Sequence, residues 1–314
     1  MPTRLLRHHE IDLAAWDACV ASAQEVVPYA HSWWLQATAG RWDAVVEVDE
    51  ATGHYLGLWP LPVKHKLWQQ EVYQPPFTQQ LGFIGAAEVK GKVRDTTLIQ
   101  QYPRFYTQLN DANKLLDIDD ELALQVQQRT TYHLPLAVAY DALRQGYAAD
   151  YQRRLRLHEV AAAPLRVRQT QDVAPLLALF RATKGTAAGL KARHYRVLGQ
   201  LAAELQARHL LELVEVRHPQ TQELLAGALF VQYRTRLIYL FAAASVDGKK
   251  AGAPLLLLDH QIRRHAGTPH LILDFEGGMI PSIARFFANF GATPVPYVAL
   301  SFTSQRPWYL SWMR

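Results

Sequence analysis

The chain has 314 residues and a mass of 35.6 kDa, with 49% apolar and 19% charged residues and 8 Trp, 14 Tyr and 11 Phe. That suits two domains or one large one, excludes a chain disordered throughout, and leaves no apolar run near the ~18–20 residues of a membrane span. One cysteine, Cys19, excludes an internal disulfide framework; the net charge of +5 divides into 12 basic and 18 acidic residues over 1–150, against 21 and 10 over 151–314.

The start, MPTRLLRHHE, lacks the apolar stretch of a secretory signal, so a cytoplasmic protein is expected. Trp16, Cys19, Val20 and Ala23 recur at helical spacing. Residues 45–63 then read as a strand, a polar turn over Asp49–His54 and a second strand. Around Pro75 and Pro76, the residues Tyr73, Gln74, Phe77, Gln79 and Gln80 form an aromatic-polar loop. With His31, Trp33 and Trp34 it lines a cleft for a polar substrate, or else fills the core between domains. Lys114–Ile118 reads as a short strand ending in an acidic residue, Arg129–Leu134 as another, and Asp141–Glu159 as a helix bearing Arg153, Arg154 and Arg156.

The second half begins with a strand near Leu165–Val167, and Asp172 is placed to cap the helix that follows. Tyr195, Leu198, Ala202 and Leu205 mark another helix; residues 213–231 repeat the hairpin pattern. Val45-Val46-Glu47-Val48 corresponds to Leu213-Val214-Glu215-Val216 and Gly57 to Gly227, while Lys114–Ile118 corresponds to His270–Phe275. Each half therefore reads helix, helix, antiparallel hairpin, further strand, helix, strand.

Two segments carry candidate chemistry. Leu237–Ala243 is a strand leading through a turn, Ser245 to Ala253, into a helix that opens on Pro254 and closes before Gly267. Free amides at Gly252 and Ala253, with Lys249 and Lys250 just ahead, suit a phosphate or pyrophosphate. The same residues also suit an ordinary strand–turn–helix with a solvated lysine pair. The strand His270–Phe275 runs into Asp274-Phe275-Glu276-Gly277-Gly278 and a helix with an apolar stripe, Ile283, Phe286, Phe287 and Phe290. Asp274 and Glu276, two apart, point to one side of a sheet, and either carboxylate takes a proton from an attacking amine if burial raises its pKa. Alternatively the pair caps the next helix or holds Arg285. The histidine pairs lack ligand spacing and no metal is expected; His265 suits the dipole at the end of its helix.

These segments resemble a known architecture. The hairpin 213–231, the run DGKKAGAPLLLLDHQI (247–262), LILDFEGGMIPSIARFFANFGA (271–292) and the junction at 131–161 resemble tandem GNAT-fold acyltransferases, and among them the FemABX-like and BioF2-like N-acyltransferases. The resemblance implies a mixed α/β fold with largely antiparallel sheets in two tandem GNAT-like domains, 1–145 on the acceptor or partner side and 146–314 binding the acyl donor. It implies transfer of an acyl group from acyl-CoA to a small-molecule or peptide amine, with Asp274 or Glu276 as the base. Lys249, Lys250, Ala251, Gly252 and Ala253 would hold the donor; Trp33, Tyr73, Gln74, Phe77 and Arg285 would meet the acceptor. Lys at the first motif place and Pro254 at its last depart from the usual phosphate turn. A FemABX-like enzyme would take aminoacyl-tRNA instead, for which Arg153, Arg154, Arg156, Arg166 and Arg168 supply phosphate contacts. A non-catalytic binding or scaffold protein is the third reading.

Overall fold

The computed structural model describes residues 3–66, 69–86, 96–113, 124–185 and 187–303. Lys114–Ile118, the expected partner of His270–Phe275, lies outside the described residues. The chain forms two units, one of residues 1–129 with 296–314 and one of residues 130–295. Two strands, β7 and β13 below, carry the chain from one unit to the other.

In the first unit, β1 (Thr3–Leu6), α1 (Leu13–Ser22) and α2 (Ser32–Thr38) precede β2 (Trp42–Val48), β3 (Tyr55–Lys66) and β4 (Gln69–Val72). These four strands form an antiparallel sheet in sequence order, with β5 (Ile84–Gly85) also paired to β3. The expected stripe of α1 is buried at Trp16, Cys19 and Val20, and Asp12 caps the helix by accepting from the Ala14 and Ala15 amides. Trp16, Trp34, Trp42 and Trp59 are fully buried, and Trp16 donates to the Ala30 carbonyl at 2.7 Å. Asp43, also fully buried, accepts from Arg7 (2.8 Å), Tyr102 (2.7 Å) and Gln70 (3.1 Å), so its charge is compensated from three segments. β6 (Arg104–Gln108) pairs antiparallel with the part of β13 (Thr293–Thr303) that lies in this unit.

The second unit takes β7 (Gln125–Pro135) from residue 130 onward. It continues through α3 (Tyr140–Gln145), α4 (Ala149–Glu159), β8 (Val167–Thr170), α5 (Ala174–Thr183) and α6 (Ala192–Ala207). Then come β9 (Leu211–Arg217), β10 (Leu224–Tyr233), β11 (Arg236–Ala244), α7 (Val246–Lys250), α8 (Ala253–His265), β12 (Ile272–Asp274) and α9 (Pro281–Ala288). Its strands follow the order β7-β12-β11-β10-β9-β8, antiparallel except for the parallel β11–β12 pair. The helix expected over 141–159 is two helices. Gly146 ends the first, and the Ala148 carbonyl accepts the first amides of the second. Asp172 bonds the Ala174 amide, but Val173 occupies the cap position of α5.

Both repeated hairpins form, and the correspondence extends to register. Glu47 stands opposite Gly57 across β2 and β3, and Glu215 stands opposite Gly227 across β9 and β10. Both glutamates are buried. Burial raises the carboxyl pKa of Glu215, but Arg217 and Arg168, at 3.0 and 2.7 Å, outweigh it and hold the group below the ordinary value. The core of this unit gathers β9–β11 and β12 against α3, α4, α8 and α9, around Val214, Phe230, Leu258, Phe275 and Phe290.

The C-terminal half of α8 is held by charge as well as by packing. Glu212 of β9 accepts from Gln261 (3.0 Å) and lies 3.0 Å from His265 Nε2 and 3.7 Å from Arg264. His265 is thus paired with a carboxylate, beyond the expected helix-dipole contact. Burial raises the Glu212 pKa, but His265, Arg264 and Gln261 outweigh that and lower it. A carboxylate with a lowered folded pKa stabilises above the unfolded value of 4.5 and loses that contribution as pH falls through the folded value. Glu212→Gln is therefore expected to be less stable than wild type at pH 7, with the gap closing below pH ~4; urea unfolding at both pH values checks this. Two glycines give a second contrast. A Cβ at Gly248 would overlap the Leu225 carbonyl, whereas one at Gly199, inside α6, meets nothing within 4 Å. Gly248→Ala should lose about 1–3 kcal/mol or more, and Gly199→Ala should gain about 0.5–1 kcal/mol, read by the same unfolding curves.

Candidate active site

The second unit opens along one strand. β12 pairs with β11 over three positions only, Arg236↔Ile272, Leu237↔Leu273 and Ile238↔Asp274. Beyond Ile238, β11 continues for six residues, Tyr239 to Ala244, with no strand on that side among the described residues. The separation begins at an irregularity: Phe230 pairs with Tyr239 and Leu229 with Phe241, so Leu240 is an extra residue that bulges β11. The unpaired edge leaves backbone donors and acceptors facing the gap. Aromatic rings floor it, with Phe275 stacked on Phe287 at 4.6 Å and Tyr239 edge-on to both at 6.4 and 6.1 Å. Burial pushes the Tyr239 hydroxyl pKa up.

β11 leads into α7 and then α8, which differs from the expected open turn. Ser245 caps α7 by accepting from Gly248, and α8 starts at Ala253, with Pro254 second. The Gly252 amide is not free: it donates to the Lys249 carbonyl at 3.2 Å, and the Ala251 amide donates to Asp247. The expectation of a free amide at Gly252 is corrected accordingly. Ala253 is fully buried, while Lys249 and Lys250 are exposed and Lys250 pairs with Asp247 at 3.5 Å. Gly252 caps α8 in the left-handed region (φ 78°), and a Cβ there would come within 2.9 Å of Arg154 Nη2. The guanidinium of α4 therefore lies over the start of α8. Lys184, at the end of α5, adds a further cation: partial burial and the charge of Lys249 lower its pKa.

Asp274 ends β12 and is buried. Its Oδ1 accepts from Thr131 Oγ1 (2.7 Å) and from the Glu276 amide (3.0 Å), while Oδ2 lies 3.2 Å from His133 Nε2. Arg236 Nη1 lies 3.2 Å from His133 Nδ1 and 3.4 Å from Nε2, so the guanidinium packs against the imidazole that faces Asp274. Burial alone would raise the Asp274 pKa, but the bonds from His133, Thr131 and Glu276 outweigh it and leave it below the ordinary value. The condition set for Asp274 as a base, a pKa raised by burial, is not met. Glu276 does not continue the strand's alternation. Its φ is 50°, left-handed for a non-glycine residue, and it is half-buried.

The remaining expected residues fall elsewhere. Arg285 is exposed on α9 in this same unit. Trp33, Tyr73, Gln74 and Phe77 belong to the first unit. Trp33 stacks on His31 at 5.7 Å, and the Lys64 ammonium lies 4.9 Å from the Tyr73 ring. Gln74 is used internally, donating to the Thr78 carbonyl (2.7 Å) and accepting from the Gln108 amide (2.9 Å); Phe77 turns the loop at φ 57°. Thr131, His133 and Arg236 were not anticipated. The available signal was Thr131 and His133 at strand spacing just before the apolar Leu134. Among the described residues, no group of three or more His, Cys, Asp or Glu side chains could hold a metal ion, and no helix is long and apolar enough to cross a membrane.

Residues 141–280 match the family model described as an acetyltransferase (GNAT) domain. That match covers 140 of the 314 residues. The whole chain is also similar in fold to FemX, at TM-score 0.67 and 13% identity, over 100% of both chains. A tandem GNAT protein from the clavulanic acid biosynthesis pathway is similar at TM-score 0.52 and 12% identity, over 98% of this chain and 100% of the other. A GNAT-family acetyltransferase from Colwellia psychrerythraea gives 0.51 and 12%, over 96% and 100%. No curated protein matches the sequence. The mixed α/β, largely antiparallel tandem GNAT fold implied by the sequence is the fold observed.

At the head of α8, Gly252→Ala is expected to cost about 1–2 kcal/mol for its left-handed backbone. Arg154→Ala should return little of that loss if backbone strain dominates, and much of it if the 2.9 Å approach dominates. A double-mutant cycle of unfolding free energies separates the two.

Proposed function

We propose that the protein is an N-acyltransferase that moves an acyl group from acyl-CoA to an amine, with the donor held by the second unit. The gap where β12 leaves β11 carries this reading. An extended chain ending in a thioester can lie along the unpaired β11 edge, with its amides bonding the backbone from Tyr239 onward and its carbonyl near the Leu240 bulge. The donor's phosphates then fall toward the start of α8, where Lys249, Arg154 and Lys184 supply charge and the Ala253 amide supplies a dipole. Lys250 is diverted to Asp247, so its part is smaller. Burial first and the charge of Lys249 second lower the Lys184 pKa, and an anion between the two lysines would offset the second.

The reaction itself asks little covalent chemistry of the protein. The amine nitrogen attacks the thioester carbonyl, a carboxylate of the 274–276 turn receives the proton, and the thiolate leaves as the C–S bond breaks. Positioning of donor and amine supplies most of the rate. The first unit has the Tyr73–Phe77 loop where the second has α7 and α8, which suits an acceptor-binding rather than a donor-binding role. Trp33, Tyr73 and Phe77 offer partly exposed rings for that purpose, and Gln74 shapes the loop from inside.

The alternative donor is an aminoacyl-tRNA, which the fold similarity to FemX brings forward. Two of the arginines that suggested it are engaged in ion pairs, Arg153 with Asp150 and Arg168 with Glu215. Thermal unfolding with millimolar acetyl-CoA, CoA and a long-chain acyl-CoA separates the donors. A ligand of the native state adds RT ln(1 + [L]/Kd), about 2.7 kcal/mol at a hundredfold excess. We expect a clear rise in Tm that falls in Lys249→Ala and Arg154→Ala. No rise with any CoA species, together with salt-sensitive tRNA binding, would replace acyl-CoA by aminoacyl-tRNA.

A further inference from the structure

Tyr239 is the first residue of β11 that β12 no longer accompanies, because the last pair between the two strands is Ile238↔Asp274. Contacts from both sides of the divergence place its ring. Phe230, opposite it on β10, lies 5.1 Å away, and Phe275, the residue after β12, lies 6.4 Å away. Phe287 of α9 lies 6.1 Å away. Three phenylalanines thus surround one phenol. Other tyrosines of the second unit use the hydroxyl inside the protein: Tyr140 donates to Asp259 at 2.7 Å, and Tyr151 to the Phe286 carbonyl at 3.4 Å. Tyr239 does not. Among the described residues its hydroxyl has no hydrogen-bond partner, and burial is the one influence on its pKa, which it raises. Nor is this hydroxyl walled in as those of Tyr147 and Tyr195 are, since the Tyr239 side chain is partly exposed. For folding alone, a phenol whose hydroxyl bonds nothing is a worse choice at this position than a fourth phenylalanine.

We infer that the Tyr239 hydroxyl donates a hydrogen bond to the carbonyl oxygen of the donor's thioester, and so distinguishes an acylated donor from CoA itself. The inference rests on the acyl-CoA reading, in which the donor's arm follows the β11 edge and ends at the divergence, beside residue 239. A thioester offers two polar atoms. Its sulfur is a weak acceptor and its carbonyl oxygen a good one, and neither can donate, so the phenol must. During transfer the amine nitrogen bonds to the carbonyl carbon, and charge gathers on the oxygen that Tyr239 holds. The C–S bond then breaks with its electron pair left on the thiolate. The amine's proton goes to the 274–276 turn, and the phenol keeps its own.

Tyr239→Phe removes the hydroxyl and keeps the ring contacts. Full-length wild type and this variant are unfolded thermally without ligand. Both are then titrated calorimetrically with CoA, acetyl-CoA and S-ethyl-CoA, which matches acetyl-CoA in size but has no carbonyl oxygen. We expect the ligand-free Tm of Tyr239→Phe to equal or exceed that of wild type, because no internal bond is lost. Wild type should bind acetyl-CoA about 5–10-fold more tightly than S-ethyl-CoA. The variant should bind those two alike, with its affinities for S-ethyl-CoA and CoA unchanged.

A ligand-free Tm several degrees lower in Tyr239→Phe, with all affinities unchanged, overturns the inference and returns the hydroxyl to the fold. Equal losses for acetyl-CoA and S-ethyl-CoA overturn it too, since the hydroxyl then meets the sulfur or the arm. So does a wild type that binds acetyl-CoA and S-ethyl-CoA alike, or a variant that keeps the full preference for acetyl-CoA. If wild type binds none of the three, the acyl-CoA reading fails first and this inference falls with it.

Discussion

Three residue pairs join β12 to β11, and the geometry of the second unit follows from their stopping there. A parallel strand that continued beside β11 would bury its edge and leave no room for a guest. Instead Leu240 bulges, the pleat of β11 is interrupted, and β12 ends at Asp274. Opening a sheet in this way exposes backbone groups and removes ladder bonds, so something must hold the strands apart. Phe275, Phe287 and Tyr239 fill the space beneath the divergence with ring contacts of 4.6 to 6.4 Å. The gap is therefore a packed feature with an apolar floor and a polar edge. That combination suits a thioester, whose acyl group is apolar and whose arm carries amides.

A buried carboxylate at the end of β12 is costly unless it is fully paired. Asp274 is paired by segments that are distant in sequence, so its bonds form only when β7, β11 and β12 are in register. The same bonds fix Glu276 in the left-handed region, and the surrounding contacts thereby offset its backbone strain. Folding and site geometry share one set of interactions here. The start of α8 behaves similarly: Gly252 is needed both for its positive φ and for the approach of Arg154.

Much of this architecture was legible in the sequence because it follows from period and punctuation. The repeated hairpins declare themselves through β-branched runs flanking polar turns, and their buried glutamates keep the same register opposite glycine in both units. The α8 helix is marked by Pro254 and Gly267, and α9 by its apolar stripe. What was not legible depends on contacts between segments. Nothing local distinguishes a free amide at Gly252 from one bonded to Lys249, because a five-residue helix, Val246–Lys250, intervenes. The pairing of His133 with Asp274 joins strands far apart in the chain, and a two-residue spacing of carboxylates reads as one face of a sheet only while the strand continues. It ends at Asp274, and Glu276 turns away.

The two units show how one hairpin plan can lead to different sites. In each, an edge strand and two helices precede a hairpin with a buried glutamate opposite glycine. They diverge after the third sheet strand. β4 has four residues and gives way to a loop stiffened by Pro75 and Pro76, turned at Phe77 and tied internally by Gln74. β11 has nine residues and delivers the chain into α7 and α8. A helix start gathers positive potential; a proline-stiffened aromatic loop presents flat, partly exposed surface. The first property favours phosphate and the second favours a less charged group. The excess of basic residues falls in 151–314, the stretch that also carries Arg154 over the start of α8 and the neighbouring charges of Lys184 and Lys249.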